Sequence, residues 1–171
     1  MNSFSVRGFR QISWSTMVMF TLGFWLSASL ILDAVIIPSL LAAGMMSEAG
    51  FASASYMMFG MFNHIEILCA ALVLTGFLVL SYHHKIIPSN RENWSIVCSV
   101  LLLAIALLYT YVFTPNLSGL GLQLSLFDSS SNNMSTAMIH LHEGYWFLEG
   151  MKFILGAVLL RWCYRNSCSL V

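Results

Sequence analysis

Apolar residues fall into four long runs, separated by shorter polar connections. The runs cover about Met17–Ala43, Tyr56–Tyr82, Trp94–Phe113 and Met138–Trp162. Each holds roughly 20 residues or more, enough to cross a ~30 Å hydrocarbon layer as a helix. Backbone groups in lipid must be satisfied within their own segment, so helices are the expected form. The pattern predicts one domain over 1–171, an all-α integral membrane four-helix bundle, with no evident internal repeat. Arg7 and Arg10 precede the first run as they would in a signal peptide. That run far exceeds a signal core of about 7–15 residues, so it reads as a retained helix.

The connections differ in kind. MMSEAGFASAS (45–55) is rich in small residues and suits a turn or a short interfacial helix. HHKIIPSNREN (83–93) is polar and contains Pro88, and Trp94 then opens the third run at an interface. TPNLSGLGLQLSLFDSSSNNMS (114–135) is too long for a simple turn. Thr114 can cap a new helix with Pro115 at its first position. Leu117, Leu120, Leu124 and Phe127 then form an apolar stripe, although Leu120, Leu122, Leu124 and Leu126 also alternate as in a strand. An isolated strand would leave open edges at a membrane surface. A short interfacial helix between helices 3 and 4 is therefore expected here.

Charge fixes the expected orientation. Arg7, Arg10, Lys85, Arg91, Arg161 and Arg165 flank the runs, and with four spans all fall on one side. The positive-inside rule makes that side cytoplasmic, or stromal in a thylakoid, with both termini inside. The expected location is thus a bacterial plasma membrane or a thylakoid membrane. Over half of the 171 residues are hydrophobic and few are charged, which fits a lipid-embedded chain. The net charge is zero and no basic run offers a nucleic-acid surface. Cys98, Cys163 and Cys168 lie toward the inner side and Cys69 lies within helix 2, so no disulfide framework is implied.

Candidate chemistry lies in the polar residues that interrupt the runs. Ionisable groups at membrane depth are costly and face protein or water. His142, Tyr145, Glu149 and Lys152 sit at offsets of zero, three, seven and ten, sharing one face of helix 4 within a roughly 80° arc. His140 and Glu143 lie off that face, near the outer end. In helix 2, His64 and Glu66 are about 200° apart and flank a stripe of Gly60, Asn63, Ile67 and Ala70. If that stripe faces the bundle, both side chains can turn inward, and Gly60 and Ala70 permit close helix approach. Helix 1 adds Ser29 and Asp33, followed by Pro38, which should kink it. Helix 3 adds Tyr109 and Thr110. Asp33, Asn63, Glu66, Tyr145, Glu149 and Lys152 form the expected buried polar cluster, in the outer half of the bundle.

Each has a structural reading too. Lys152 can pair with Glu149 at i,i+3 or snorkel, and His142 can bond to backbone or water. His64 can be a satisfied core histidine or a ligand. Met57 and Met58 lie near the outer mouth and read as packing, since Met is abundant throughout.

The segments FWLSASLILDAVIIPSLL (24–41), FNHIEILCAALVL (62–74) and LHEGYWFLEGMKFILG, with TPNLSGLGLQLSLFD between, carry a resemblance. The chain resembles an uncharacterised four-helix membrane family of the CopD-like superfamily, and its wording is most like cyanobacterial members. Distant relatives are copper-resistance D and HemJ-type proteins. The resemblance implies a heme- or copper-linked role, and a four-helix bundle can hold heme between facing helices. His64 and His142 would then be axial ligands, with His140 a substitute, or the same two histidines would bind copper. HemJ-type proteins carry a histidine in their first helix and this chain has none there, which separates it from their catalysis. The leading expectation is an accessory or assembly partner of a larger membrane complex, not an enzyme, with the lipid bilayer and a complex or a second copy as partners. A heme- or copper-binding redox or transport protein is the alternative.

Overall fold

The computed structural model describes residues 14–45, 50–83, 90–117, 119 and 136–168. Four helices account for nearly all of them, and no strand occurs among the described residues. Helix α1 spans Trp14–Ala42, α2 spans Phe51–His83, α3 runs from Asn90 to Leu117 and α4 spans Thr136–Cys168. Three of the four, α1 to α3, are long and apolar enough to cross a membrane. In α4 the charges of Glu149 and Lys152 interrupt an otherwise apolar stretch of sufficient length.

Helix α1 packs against α2 and α4, and α3 packs against α2 and α4, so the helices close a ring. The diagonal pairs do not pack backbone to backbone among the described residues. The core splits along the bundle. At the end where α1 begins and α4 finishes it is apolar, built from Val18, Leu22, Val73, Phe77, Leu102 and Leu159 with Cys98 and Cys163. At the opposite end the buried residues are Ser29, Asp33, Asn63, Glu66, Tyr109, Glu149 and Lys152. The outward surface is the reverse: Phe20, Met57, Met61, Tyr111 and Phe147 all point away from the core. Apolar outside with charges inside is the distribution expected when the solvent is lipid.

Two helices share one local device. In α1 the backbone widens to a π turn over Leu32–Ile36, and the N–H of Ile37 bonds to the carbonyl of Leu32. In α3 it widens over Tyr109–Phe113, and the N–H of Thr114 bonds to the carbonyl of Tyr109. A proline follows each at the same offset, Pro38 and Pro115. Proline lacks an N–H, and its ring crowds the carbonyl four residues back; a wider turn relieves both problems. The residue after each proline then donates its side chain to the carbonyl four residues back. Ser39 Oγ reaches Val35 O at 2.6 Å and Asn116 Nδ2 reaches Val112 O at 2.7 Å. Before Pro38, where a kink is expected, the backbone widens into a π turn. The new helix expected to start at Thr114 is instead a continuation of α3 through Leu117. The remainder of that expected interfacial helix, 118 and 120–135, lies outside the described residues.

Close approach rests on glycines other than the expected one. Gly60 has open space where a Cβ would stand. Gly76 of α2 lies against Val18 of α1, and a Cβ there would overlap Val18 Cγ2. Gly156 of α4 lies against Leu26, whose Cδ2 would be 2.7 Å from an added Cβ. Val18 is β-branched and stiff, whereas the end of Leu26 can swing aside. Gly76→Ala is therefore expected to destabilise by about 1–3 kcal/mol and Gly156→Ala by less. Gly150→Ala, with nothing nearby, should stay within about 0.5 kcal/mol of the parent. Denaturant unfolding in detergent micelles measures the order, and equal losses at Gly76 and Gly150 would contradict the packing.

Candidate functional site

Lys152 is the centre of the polar end. Its side chain is 2 % exposed, yet Nζ lies 2.6 Å from Glu66 Oε1 and 2.6 Å from Glu149 Oε1. Glu149 reaches it along the same helix at i,i+3, whereas Glu66 reaches it from α2, across the diagonal of the ring. The two contacts differ in quality. Lys152 donates a directed hydrogen bond to Glu66. Its contact with Glu149 Oε1 is an ion pair by distance but lacks hydrogen-bond alignment, so that oxygen has no directed partner. The ammonium also lies 5.3 Å from the centre of the Tyr109 ring, within cation–π range.

Each carboxylate is held by donors from neighbouring helices. Glu66 Oε1 accepts from Trp25 Nε1 at 2.9 Å and from Ser29 Oγ at 3.1 Å, both on α1. Glu149 Oε2 accepts from Tyr109 O–H at 2.9 Å, from the π turn of α3. Asp33, from the π turn of α1, accepts at Oδ1 from Tyr145 O–H at 3.4 Å. The rings of Tyr109 and Tyr145 lie 5.0 Å apart and wall the site. All four helices thus contribute to one connected network.

The expected cluster is largely present, with changes of membership. Asp33, Glu66, Tyr145, Glu149 and Lys152 meet as a group. Asn63 is buried but turns to α3, donating Nδ2 to Thr114 Oγ1 at 2.6 Å. His64 and Glu66 do not both turn inward. Glu66 is 1 % exposed, while His64 is exposed and its Nδ1 stays 2.6 Å from the carbonyl of Gly60 in its own helix. The cause is the ~200° between them, which puts only one side on the bundle axis. His142 is partly exposed at the mouth of the network, one turn from Tyr145. His140 and Glu143 form an exposed contact of 3.3 Å at the end of α4.

A heme held between helices 2 and 4 needs imidazoles on the inner faces of both, and His64 stands on the outer one. No group of three or more His, Cys, Asp or Glu among the described residues could hold a metal ion. Cys69, Cys98 and Cys163 are buried free thiols.

Two members were harder to read in sequence. Trp25 precedes Ser29 by four residues and Asp33 by eight, so the face was available, but a tryptophan in an apolar run reads as packing. Tyr109 was visible as a polar aromatic, without any sign of its partner. The chain matches no family model, no curated protein and no solved structure.

The chemistry of this arrangement is electrostatic containment. Removing one partner of a buried ion pair leaves a charge uncompensated and costs about 3–5 kcal/mol. Lys152→Met strips the cation from two carboxylates and should destabilise the protein by that order. Adding Glu66→Gln to Lys152→Met should return part of the loss. Unfolding in detergent reads both, and a Lys152→Met protein within about 1 kcal/mol of wild type would show that the network carries no such load.

Proposed function

We propose that this is a multi-pass membrane protein that acts as an accessory or assembly partner of a larger membrane complex. The observation that carries it is the closure of the buried network. Lys152, Glu66 and Glu149 are committed to each other and to donors of the same chain. Buried ionic groups of this kind can fix helix register. What the bundle offers outward is apolar and aromatic: Tyr111 on α3 and Trp146 and Phe147 on α4 stand exposed at the polar end. Large amphipathic aromatics suit both the membrane interface and contact with other proteins. The resemblance to the CopD-like superfamily agrees with a membrane bundle and supplies no activity for this branch.

In this reading α4 enters the membrane with the other three helices. Glu149 and Lys152 pair with each other there and face Glu66, away from lipid. Four spans put both termini on the cytoplasmic side, where the flanking Arg and Lys residues collect. A reporter fused to either end should then be read from the cytoplasm; opposite readings for the two ends would reduce the spans to an odd number.

The partner reading has its own measurement. Protein solubilised gently from its native membrane should migrate with other subunits on native electrophoresis and cross-link to them through the α3–α4 face. A chain that runs only as a free monomer in that experiment removes the basis for the assembly role.

A further inference from the structure

The ionisable groups of the network do not balance. Asp33, Glu66 and Glu149 bring three carboxyls, and Lys152 brings one ammonium. Every charged side chain in the set is at least nine-tenths buried. Fully ionised, the site would hold two uncompensated negative charges where each buried ion already costs several kcal/mol. Lys152 lies against Glu66 and Glu149, which leaves Asp33 as the acid without an ion-pair contact of its own.

Two further observations say where a proton that lowers this excess belongs. Asp33 from α1 and Glu149 from α4 stand within side-chain hydrogen-bonding reach of each other, acid facing acid, in a network joined through Tyr145 and Tyr109. Two carboxyl groups can make that bond only with a proton between them. Independently, Oε1 of Glu149 is the buried side-chain oxygen with no directed hydrogen bond among the described residues. Its other oxygen is taken by Tyr109.

We infer that Asp33 and Glu149 form a proton-binding site inside the bundle, holding one exchangeable proton between their carboxyl groups. The groups facing it are Glu66 and, beyond it, Cys69 from α2, Tyr109 from α3, and Tyr145 and Lys152 from α4, with His142 one turn above Tyr145. Tyr145 donates to Asp33 and is itself partly exposed, so this residue stands between the site and the outside. When the proton passes to water, two carboxylates are left face to face. The α1–α4 contact at the π turn of α1 then loses its hydrogen bond and gains a repulsion. The site does not depend on the assembly role, and the experiment that tests it needs only the isolated protein.

Infrared spectroscopy of the folded protein in lipid vesicles decides the matter. The wild type should show the carbonyl band of one protonated carboxylic acid per chain, shifting down on transfer from H2O to D2O. Asp33→Asn and Glu149→Gln should each remove that band, and Glu66→Gln should keep it. Asn and Gln match the shape of the protonated acids, so both variants are expected to fold; the wild-type spectrum is decisive even where one does not. A folded wild type without the band overturns the assignment. So does a band that survives in both single variants, or one that Glu66→Gln alone removes.

Discussion

A buried ammonium held by two carboxylates is the constraint around which this bundle is arranged. Lys152 and Glu66 come from helices that do not pack backbone to backbone, yet their side chains meet at 2.6 Å. That contact ties the diagonal of the ring, which helix packing alone leaves open. It also sets the rotation of α4, because Glu149 must reach the same ammonium from one turn away. Once α2 and α4 are fixed, the remaining donors have one direction to face. Trp25 and Ser29 complete Glu66, and Tyr109 completes Glu149. In lipid the alternative for any of these groups is no partner at all, which is why a network from four helices persists despite the entropy of ordering it.

The two proline-linked π turns serve that network. A regular helix could not pass through Pro38 or Pro115 without losing a hydrogen bond and meeting a clash. Widening the turn before each proline keeps the helix continuous and alters which side chains the turn presents. Leu32 and Asp33 are both buried in the first, and Tyr109 is buried in the second. Both turns sit at the polar end, beside α4, and each supplies one hydrogen-bonded group to it. The same local solution in two helices places an acid against Tyr145 and a phenol against Glu149.

Much of this was legible along the chain. Apolar runs of this length dictate helices, because a lipid-exposed backbone has no other way to pair its polar groups. The face of His142, Tyr145, Glu149 and Lys152 followed from their spacing alone; in the structure Tyr145, Glu149 and Lys152 join the network and His142 stands partly exposed at its mouth. The π turns were only partly legible. Pro38 and Pro115 mark where regularity must fail, but not whether the chain kinks, stops or widens. At Pro115 the expected stop was replaced by continuation, with the Asn116 side chain bonded to the Val112 carbonyl in the turn that carries the proline.

The sequence by itself determined that the chain forms four long helices and that a charge in the fourth needs a partner. It could not choose between His64 and Glu66. They lie on nearly opposite sides of α2, and the choice depends on how that helix is rotated against α1 and α3, which no local spacing encodes. Tertiary packing turned Glu66 inward and His64 outward, brought Trp25 and Tyr109 into the site, and set Asp33 against Tyr145. Those are contacts between residues dozens to more than a hundred positions apart. Only the folded bundle, by weighing desolvation against every available donor at once, decides which of them form.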